Sequence, residues 1–239
     1  MAHVAISRWL TLKSAFFHSL PIFSGFIFLG IAYGVYMRGL GFEAWYPIVM
    51  ALTIFAGSVE FVAAGILLTA FNPLYAFLIV LMISTRQIFY GLSMLNKYHT
   101  AGAKKYYLIS GMTDESFAIN YSAKLDPQID EASHMFYVTL FLHLFWVMGA
   151  TIGALLVDVM TVNLTGASFA MTALFLVIFV EQWLREATHE SSLIGLSVTL
   201  LSLLIFGHEH FLIPAMGSIL LILSLRRPAL SKKYAEAQQ

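Results

Sequence analysis

Residues 45–70 read WYPIVMALTIFAGSVEFVAAGILLTA, and this stretch decides the class of fold. Its 26 residues hold a single charged side chain, that of Glu60. A helix needs about 20 apolar residues, rising 1.5 Å each, to cross a hydrocarbon core of roughly 30 Å. The stretch therefore predicts a membrane-spanning helix, or a re-entrant pair of shorter helices.

The composition of the whole chain agrees with a membrane protein. Of its 239 residues, 59% are hydrophobic and 11% are charged, whereas an average soluble domain is roughly 25% charged. The 13 Lys and Arg are balanced by 13 Asp and Glu, so no basic excess points to a nucleic-acid partner. The absence of Cys excludes disulfides and thiolate metal sites, and no motif indicates a cofactor or a metal.

Seven apolar segments meet the length criterion or approach it. The predicted fold is an all-α polytopic membrane protein with about seven transmembrane segments, including re-entrant or broken helices. The segments are 16–36, 45–70, 73–95, 135–157, 168–184, 193–206 and 211–225. The first is too long for the core of a signal peptide, so it is predicted to be an uncleaved span. Residues 207–210 separate the last two, which form either two short crossings or a re-entrant hairpin.

The distribution of Lys and Arg predicts the orientation, because loops rich in these residues stay in the cytoplasm. The tail 226–239 carries four Lys and Arg, and the loop 97–134 carries four Lys, so both are predicted to be cytoplasmic. Seven crossings then place the N-terminus outside, together with Arg8 and Lys13, which conflicts with the same rule. The conflict disappears if 45–70 is a re-entrant pair.

A faint internal repeat suggests how the segments are organised. Residues 30–34 (GIAYG) correspond to 149–153 (GATIG), and 55–61 (FAGSVEF) correspond to 169–175 (FAMTALF). We predict one integral membrane domain, 1–239. Its parts are a first repeat at about 14–96, the loop 97–134, an inverted second repeat with the last helix at 135–225, and the tail 226–239. Alternatively, the glycine pairs only let helices approach closely.

Charged side chains inside apolar segments mark the candidate site, because they are costly in lipid and usually functional. Glu60 and Arg86 each lie about 20 Å from the start of their segment, so they are predicted to meet near mid-membrane. The pair forms either a structural ion pair or a zwitterion site. In the second case Glu60 faces a substrate ammonium and Arg86 clamps a carboxylate. An apolar pocket around them favours an aliphatic side chain and discriminates poorly between near-isosteres.

Further candidates surround this pair in sequence. Pro21 is predicted to weaken the first helix and free backbone groups for substrate, unless it only permits close packing. Ser58, beside Glu60, is a second substrate-binding candidate. Asp114 and Glu115 in the inner loop either cap a helix or act in proton coupling or gating. Glu181, at the end of the fifth span, is a further gating candidate, although packing or anchoring is favoured there.

Five short motifs in order resemble the AzlC-type branched-chain amino acid permeases. They are the stretch from Leu20-Pro21-Ile22 to Gly34, residues 55–61, Arg86-Gln-Ile-Phe-Tyr-Gly91, Met112-Thr-Asp-Glu-Ser-Phe117 and Glu181-Gln182-Trp183. The resemblance spans about residues 14–225. Two positions depart from the family, which typically has Gln at the position of Glu60 and Arg-His at the position of Arg86-Gln87.

This resemblance implies a secondary transporter that exports branched-chain or other aliphatic amino acids across the bacterial inner membrane. It also implies a separately encoded, small AzlD-type membrane subunit as partner. Coupling to the proton gradient is the expected driving force. Glu60 in place of an amide puts valine specificity in question.

A membrane-embedded enzyme, or a non-transporting receptor or scaffold, is the rival function. An intramembrane hydrolase needs a nucleophile with its base, or a set of metal ligands, within the spans. His143 is the imidazole that the predicted spans offer for this role, with no carboxylate evident at its depth. A scaffold does not need charged side chains at matching depths in the membrane.

Overall fold

The computed structural model describes residues 7–70, 72–159, 172, 176, 179–180, 183–184 and 188–237, and the regular secondary structure in these ranges is all helical. Within them we number ten helices in chain order. They are α1 Arg8–Gly39, α2 Trp45–Thr53, α3 Gly57–Leu67, α4 Pro73–Ile83, α5 Thr85–His99, α6 Lys104–Ser110, α7 Asp114–Ser122, α8 Glu131–Val159, α9 Glu190–His210 and α10 Leu212–Ala237.

The chain divides into two compact units. The first comprises Met1–Ala76 and Ile83–Thr172, and the second comprises Phe77–Met82 and Ala173–Gln239. The first unit contains α1–α3 and α5–α8, and the second contains α9 and α10. The arrangement as one integral membrane domain built from two repeats stays a prediction.

The long apolar helices confirm the all-α membrane class. In the described part of the chain, three helices are long and apolar enough to cross a membrane: Arg8–Gly39, Glu131–Val159 and Glu190–Gly207. The pair α4 and α5 passes the same criterion but bends by 55° at its break. The predicted total of seven segments remains a prediction, and most of the predicted span 168–184 lies outside the described residues.

Helix α1 is continuous from Arg8 to Gly39 with Pro21 inside it, so Pro21 does not interrupt the first span, and its role in freeing backbone groups for substrate stays a prediction. The Ser7 hydroxyl oxygen accepts from the Leu10 amide and caps the helix, satisfying an amide that has no partner within the helix. Pro21 itself lies on an exposed face.

Helices α1 and α8 form the centre of the first unit and run parallel. Contacts along α1 meet α8 in ascending order: Thr11 with Asp130, which precedes α8, then His18 with His134, Phe26 with Trp146, and Arg38 with Asp158. The two helices therefore begin on the same side of this unit.

Four glycines let the α1 and α8 backbones approach closely. A methyl group on Gly30 would lie 2.9 Å from the Ala150 amide nitrogen, and one on Gly149 would lie 2.7 Å from the Ile27 carbonyl oxygen. Gly34 and Gly153 meet the opposite backbone more closely still. The two glycine motifs are thus one packing interface. Because inverted repeats place equivalent helices antiparallel, these motifs do not support the predicted inversion.

The segment 45–70 is broken into α2 and α3, with Phe55 at the break in the left-handed region (φ 47°). Met50 before the break and Phe61 after it both contact Tyr33, although a straight helix would separate residues eleven apart by about 16 Å. The chain therefore turns back at the break, the re-entrant alternative from the sequence. If this segment does not cross the membrane, the predicted conflict over Arg8 and Lys13 disappears.

Two more helix breaks occur. One lies inside a segment that the sequence predicts to be a continuous span, and the other lies where the sequence predicts an interruption. α4 ends at Ile83 and α5 begins at Thr85, inside the predicted span 73–95. Gly207 has φ 70° and a non-helical backbone within α9, which agrees with the interruption predicted at 207–210. Only Gly adopts this conformation without a steric penalty.

Candidate functional site

The carboxyl group of Glu60 lies in the first turn of α3, just after the break, and is fully buried. The Trp146 indole Nε1 donates to both oxygens, at 3.0 Å and 3.1 Å, and the Ala56 amide donates to Oε1 at 3.0 Å. The carboxyl thus accepts from the start of its own helix, where the helix dipole favours an anion. It also ties the re-entrant segment to α8.

Aromatic rings pack around the indole that binds this carboxyl group. Tyr33 stacks on Trp146 with ring centres 5.9 Å apart, and Phe61 packs edge-on against Tyr33 at 5.2 Å. Phe26 packs edge-on against the indole, with ring centres 6.0 Å apart. A methyl group on Gly57 would lie 3.0 Å from the Trp146 ring, so glycine provides space for the indole.

His143 of α8 holds the end of α2 at the same break. Its Nε2 lies 3.1 Å from the Ala51 carbonyl oxygen, and its ring stacks on Phe55 at 4.2 Å. The carbonyl belongs to the last turn of α2 and only accepts, so Nε2 carries the proton. Nδ1 then accepts from the Tyr107 hydroxyl at 2.9 Å. Burial raises the pKa of Tyr107 to about 12, so this hydroxyl keeps its proton.

Arg86 is the second residue of α5 and binds Asp114, the first residue of α7, with 2.8 Å between Nη1 and Oδ2. Both side chains remain partly exposed, at 44% and 35%. The next side chain of α5, Gln87, donates to the Met112 carbonyl at 3.3 Å. The start of α5 is therefore fixed to the start of α7.

Helix α7 carries its own cap. The Thr113 hydroxyl oxygen accepts from the Ser116 amide, and the Ser116 hydroxyl oxygen accepts from the Thr113 amide at 2.8 Å. Thr113 therefore supplies the side-chain cap of this helix, and Asp114 and Glu115 follow it in the first turn. Burial raises the pKa of the neighbouring Glu115 carboxyl, and the charge of Asp114 adds to the shift, while the Thr113 and Arg86 side chains oppose it.

The predicted pair of Glu60 and Arg86 does not form, because each side chain has other partners. Equal depth along two helices does not determine which of their faces meet. In addition, both segments are broken, so the helix faces that carry Glu60 and Arg86 differ from those of continuous spans. Ser58 lies partly buried in the same turn as Glu60. Glu181 lies outside the described residues. In the described ranges no group of three His, Cys, Asp or Glu is placed to hold a metal ion.

Several residues of the site were not singled out by the sequence. Trp146, Tyr33 and Tyr107 are ordinary aromatic residues in apolar or mildly apolar stretches, and His143 was noted without a partner. A pair of imidazoles also lies near the beginnings of α1 and α8, with 3.1 Å between His18 Nδ1 and His134 Nε2. The available signal was that His143 and Trp146 share one face of α8 at helical spacing.

Known proteins match this chain along most of its length. A family model described as AzlC protein matches residues 21–160. The branched-chain amino acid transport protein AzlC of Bacillus subtilis is 53% identical over 224 residues, covering 94% of this chain and 88% of that protein. An uncharacterized membrane protein of Haemophilus influenzae is 54% identical over 222 residues, covering 92% and 91%.

A more distant relative, an uncharacterized membrane protein of Helicobacter pylori, is 31% identical over 218 residues, covering 91% of this chain and 96% of that protein. No solved structure matches. The family model covers more than half of the chain, and the relatives extend over nearly all of it. This helical membrane protein therefore belongs to the AzlC family.

Proposed function

We propose that the protein is the large subunit of a secondary transporter that exports branched-chain or other aliphatic amino acids across the bacterial inner membrane. One observation carries the proposal: two apolar segments are broken, and an ionisable side chain follows each break. Glu60 follows the break at Phe55, and Arg86 follows the break between α4 and α5. Transporters commonly build substrate and ion sites from such discontinuous helices.

The substrate class is supported by the Bacillus subtilis relative, whose name assigns it to branched-chain amino acid transport. Arg86 has the chemistry to bind the carboxylate that every amino acid carries, since a guanidinium donates two parallel hydrogen bonds to it. Export, and an AzlD-type partner subunit, follow from the family resemblance. The same named relative favours transport over an enzymatic reaction.

Proton coupling is assigned to Glu60. This carboxyl is fully buried and, in the described part of the chain, accepts from neutral donors and pairs with no Lys or Arg. A buried carboxylate without a cation is costly, so taking up a proton changes its free energy strongly. A proton lost or gained there changes the bond between α3 and Trp146, which connects protonation to the re-entrant segment.

The test is efflux from proteoliposomes that contain the full chain with its small partner. The vesicles are preloaded with labelled leucine, valine, isoleucine or methionine, and efflux is measured with and without an imposed pH gradient. We expect gradient-dependent efflux of the aliphatic amino acids and little efflux of labelled lysine or glutamate. If the reconstituted complex is intact and none of the four aliphatic substrates moves, the proposed substrate class is wrong.

A further inference from the structure

The guanidinium of Arg86 is paired with a carboxylate of the protein, that of Asp114. An amino acid substrate carries the same chemical group, its α-carboxylate. Asp114 binds the guanidinium at 2.8 Å, while 44% of the Arg86 side chain and 35% of the Asp114 side chain stay accessible. A small carboxylate can therefore reach the guanidinium without a large rearrangement. An amino acid presents such a group next to its ammonium.

We propose that Asp114 occupies the place on Arg86 that the substrate α-carboxylate takes, so that binding of an amino acid exchanges one carboxylate for another. This inference rests on the proposed transport function and assigns the first contact of the substrate. The exchange balances charge, because one carboxylate leaves the guanidinium as another arrives.

The released Asp114 side chain keeps a favourable environment. It is the first residue of α7, where unpaired backbone amides and the positive end of the helix dipole favour an anion. The reciprocal hydrogen bonds between Thr113 and Ser116 hold the start of α7 without help from Arg86. Breaking the ion pair between Arg86 and Asp114 therefore leaves the first turn of α7 intact.

The rest of α7 stays attached to α5 during the exchange. Tyr90 stacks on Phe117 with ring centres 4.3 Å apart and planes 9° from parallel. Lys97 donates to the Asn120 carbonyl at 3.0 Å and to the Tyr121 carbonyl at 3.3 Å, capping the end of α7. The exchange releases the ion pair at the start of α5, while these contacts farther along α5 persist.

The test measures equilibrium binding of labelled leucine to the purified full chain with its partner in lipid nanodiscs. Asp114→Asn removes the competing carboxylate, and we expect leucine to bind about fivefold more tightly, the factor equivalent to an exposed ion pair of about 1 kcal/mol. Glu131→Gln is the matched control, since it removes the acid of the Lys97–Glu131 pair (3.2 Å) in the same region. It should leave leucine affinity unchanged.

Two further measurements separate competition from a structural role. Leucinol lacks the carboxylate, so Asp114→Asn should not improve its ability to displace leucine relative to the wild type. The exchanged pair Arg86→Asp/Asp114→Arg should recover the thermal stability lost in Arg86→Asp but should not recover leucine binding, because the guanidinium then lies on α7.

The inference is overturned if Asp114→Asn weakens leucine binding or leaves it unchanged while the wild type binds normally. It is equally overturned if the exchanged pair restores both stability and binding, since the ion pair is then purely structural. Failure of the wild-type complex to bind or transport any aliphatic amino acid instead contradicts the proposed function itself.

Discussion

At the residue scale, Trp146 determines the surroundings of Glu60. Replacing it by Phe removes both indole hydrogen bonds from a fully buried carboxyl group. A buried polar group left without its partner costs about 1–3 kcal/mol. We therefore expect Trp146→Phe to lower the apparent melting temperature of the purified protein by several degrees, at about 2–4 °C per kcal/mol.

The same substitution in a Glu60→Gln background is the control for lost ring volume. Gln offers the indole one acceptor oxygen in place of two, so Trp146→Phe should lower the melting temperature less than it does in the wild type. Equal losses in both backgrounds would mean that Trp146 contributes only packing and that its bond to Glu60 adds no stability.

The carboxyl group of Glu115 is expected to make the free energy of unfolding depend on pH. Because burial raises its pKa in the folded protein, the folded state holds this proton more firmly than the unfolded chain does. Its stabilising contribution is therefore complete at low pH and is lost as the pH rises through the folded pKa. Glu115→Gln removes the dependence.

Thermal melts of wild type and Glu115→Gln, recorded from about pH 4 to about pH 8, check this expectation. The variant should be the more stable protein at the alkaline end, and the difference should shrink toward the acidic end. A difference that grows on acidification would show that the Glu115 carboxylate is stabilised by the fold.

Sequence reasoning selected Glu60, Arg86, Asp114 and Glu115 because charged side chains in or beside apolar segments are few. It could not select their partners. A pairing depends on which helix faces meet, and the breaks after Ile54 and Ile83 change those faces. Both breaks occur without a Pro at the break itself, so the usual local signal for an interrupted helix is missing.

At the element scale, the contact between α1 and α8 depends on glycine. A methyl group at Gly34 or Gly153 would overlap the opposite backbone, which cannot move aside as a flexible side chain does. We expect Gly34→Ala and Gly153→Ala each to cost about 1–3 kcal/mol or more and to reduce the yield of monodisperse protein in mild detergent.

Gly25→Ala is the matched control, because it lies in the same helix with nothing within 4 Å of the added methyl group. Its yield on size-exclusion chromatography should equal that of the wild type or exceed it. If all three variants behave alike, the close approach of α1 and α8 is not what holds this unit together.

At the scale of the whole molecule, parallel α1 and α8 determine the side of the N-terminus. Both helices begin beside the lysine-rich loop 97–134, which is predicted to be cytoplasmic, so Arg8 is expected there as well. The chain has no Cys, and single cysteines can therefore be placed at exposed positions and labelled with an impermeant maleimide. Arg8→Cys and Lys124→Cys should react in inverted vesicles, and Glu43→Cys should react in intact cells.

Labelling of Arg8→Cys from outside, together with Glu43→Cys, would contradict this topology. From the sequence, the lysine-rich loop and tail predict the orientation of α8, whereas the side of the N-terminus stays undecided, because the count of crossings depends on whether 45–70 crosses once. The contacts of Met50 and Phe61 with Tyr33 show that this segment turns back on itself, which supports the re-entrant alternative.

The central claim is that the protein moves aliphatic amino acids outward in exchange for protons, with Glu60 carrying the coupling. The most direct measurement is uptake of labelled leucine into inverted membrane vesicles whose interior is acidified, since export from a cell becomes uptake in this orientation. We predict accumulation that collapses when the pH gradient is dissipated and that loses its gradient dependence in Glu60→Gln. Accumulation that persists without a gradient, or that Glu60→Gln leaves unchanged, would contradict the account.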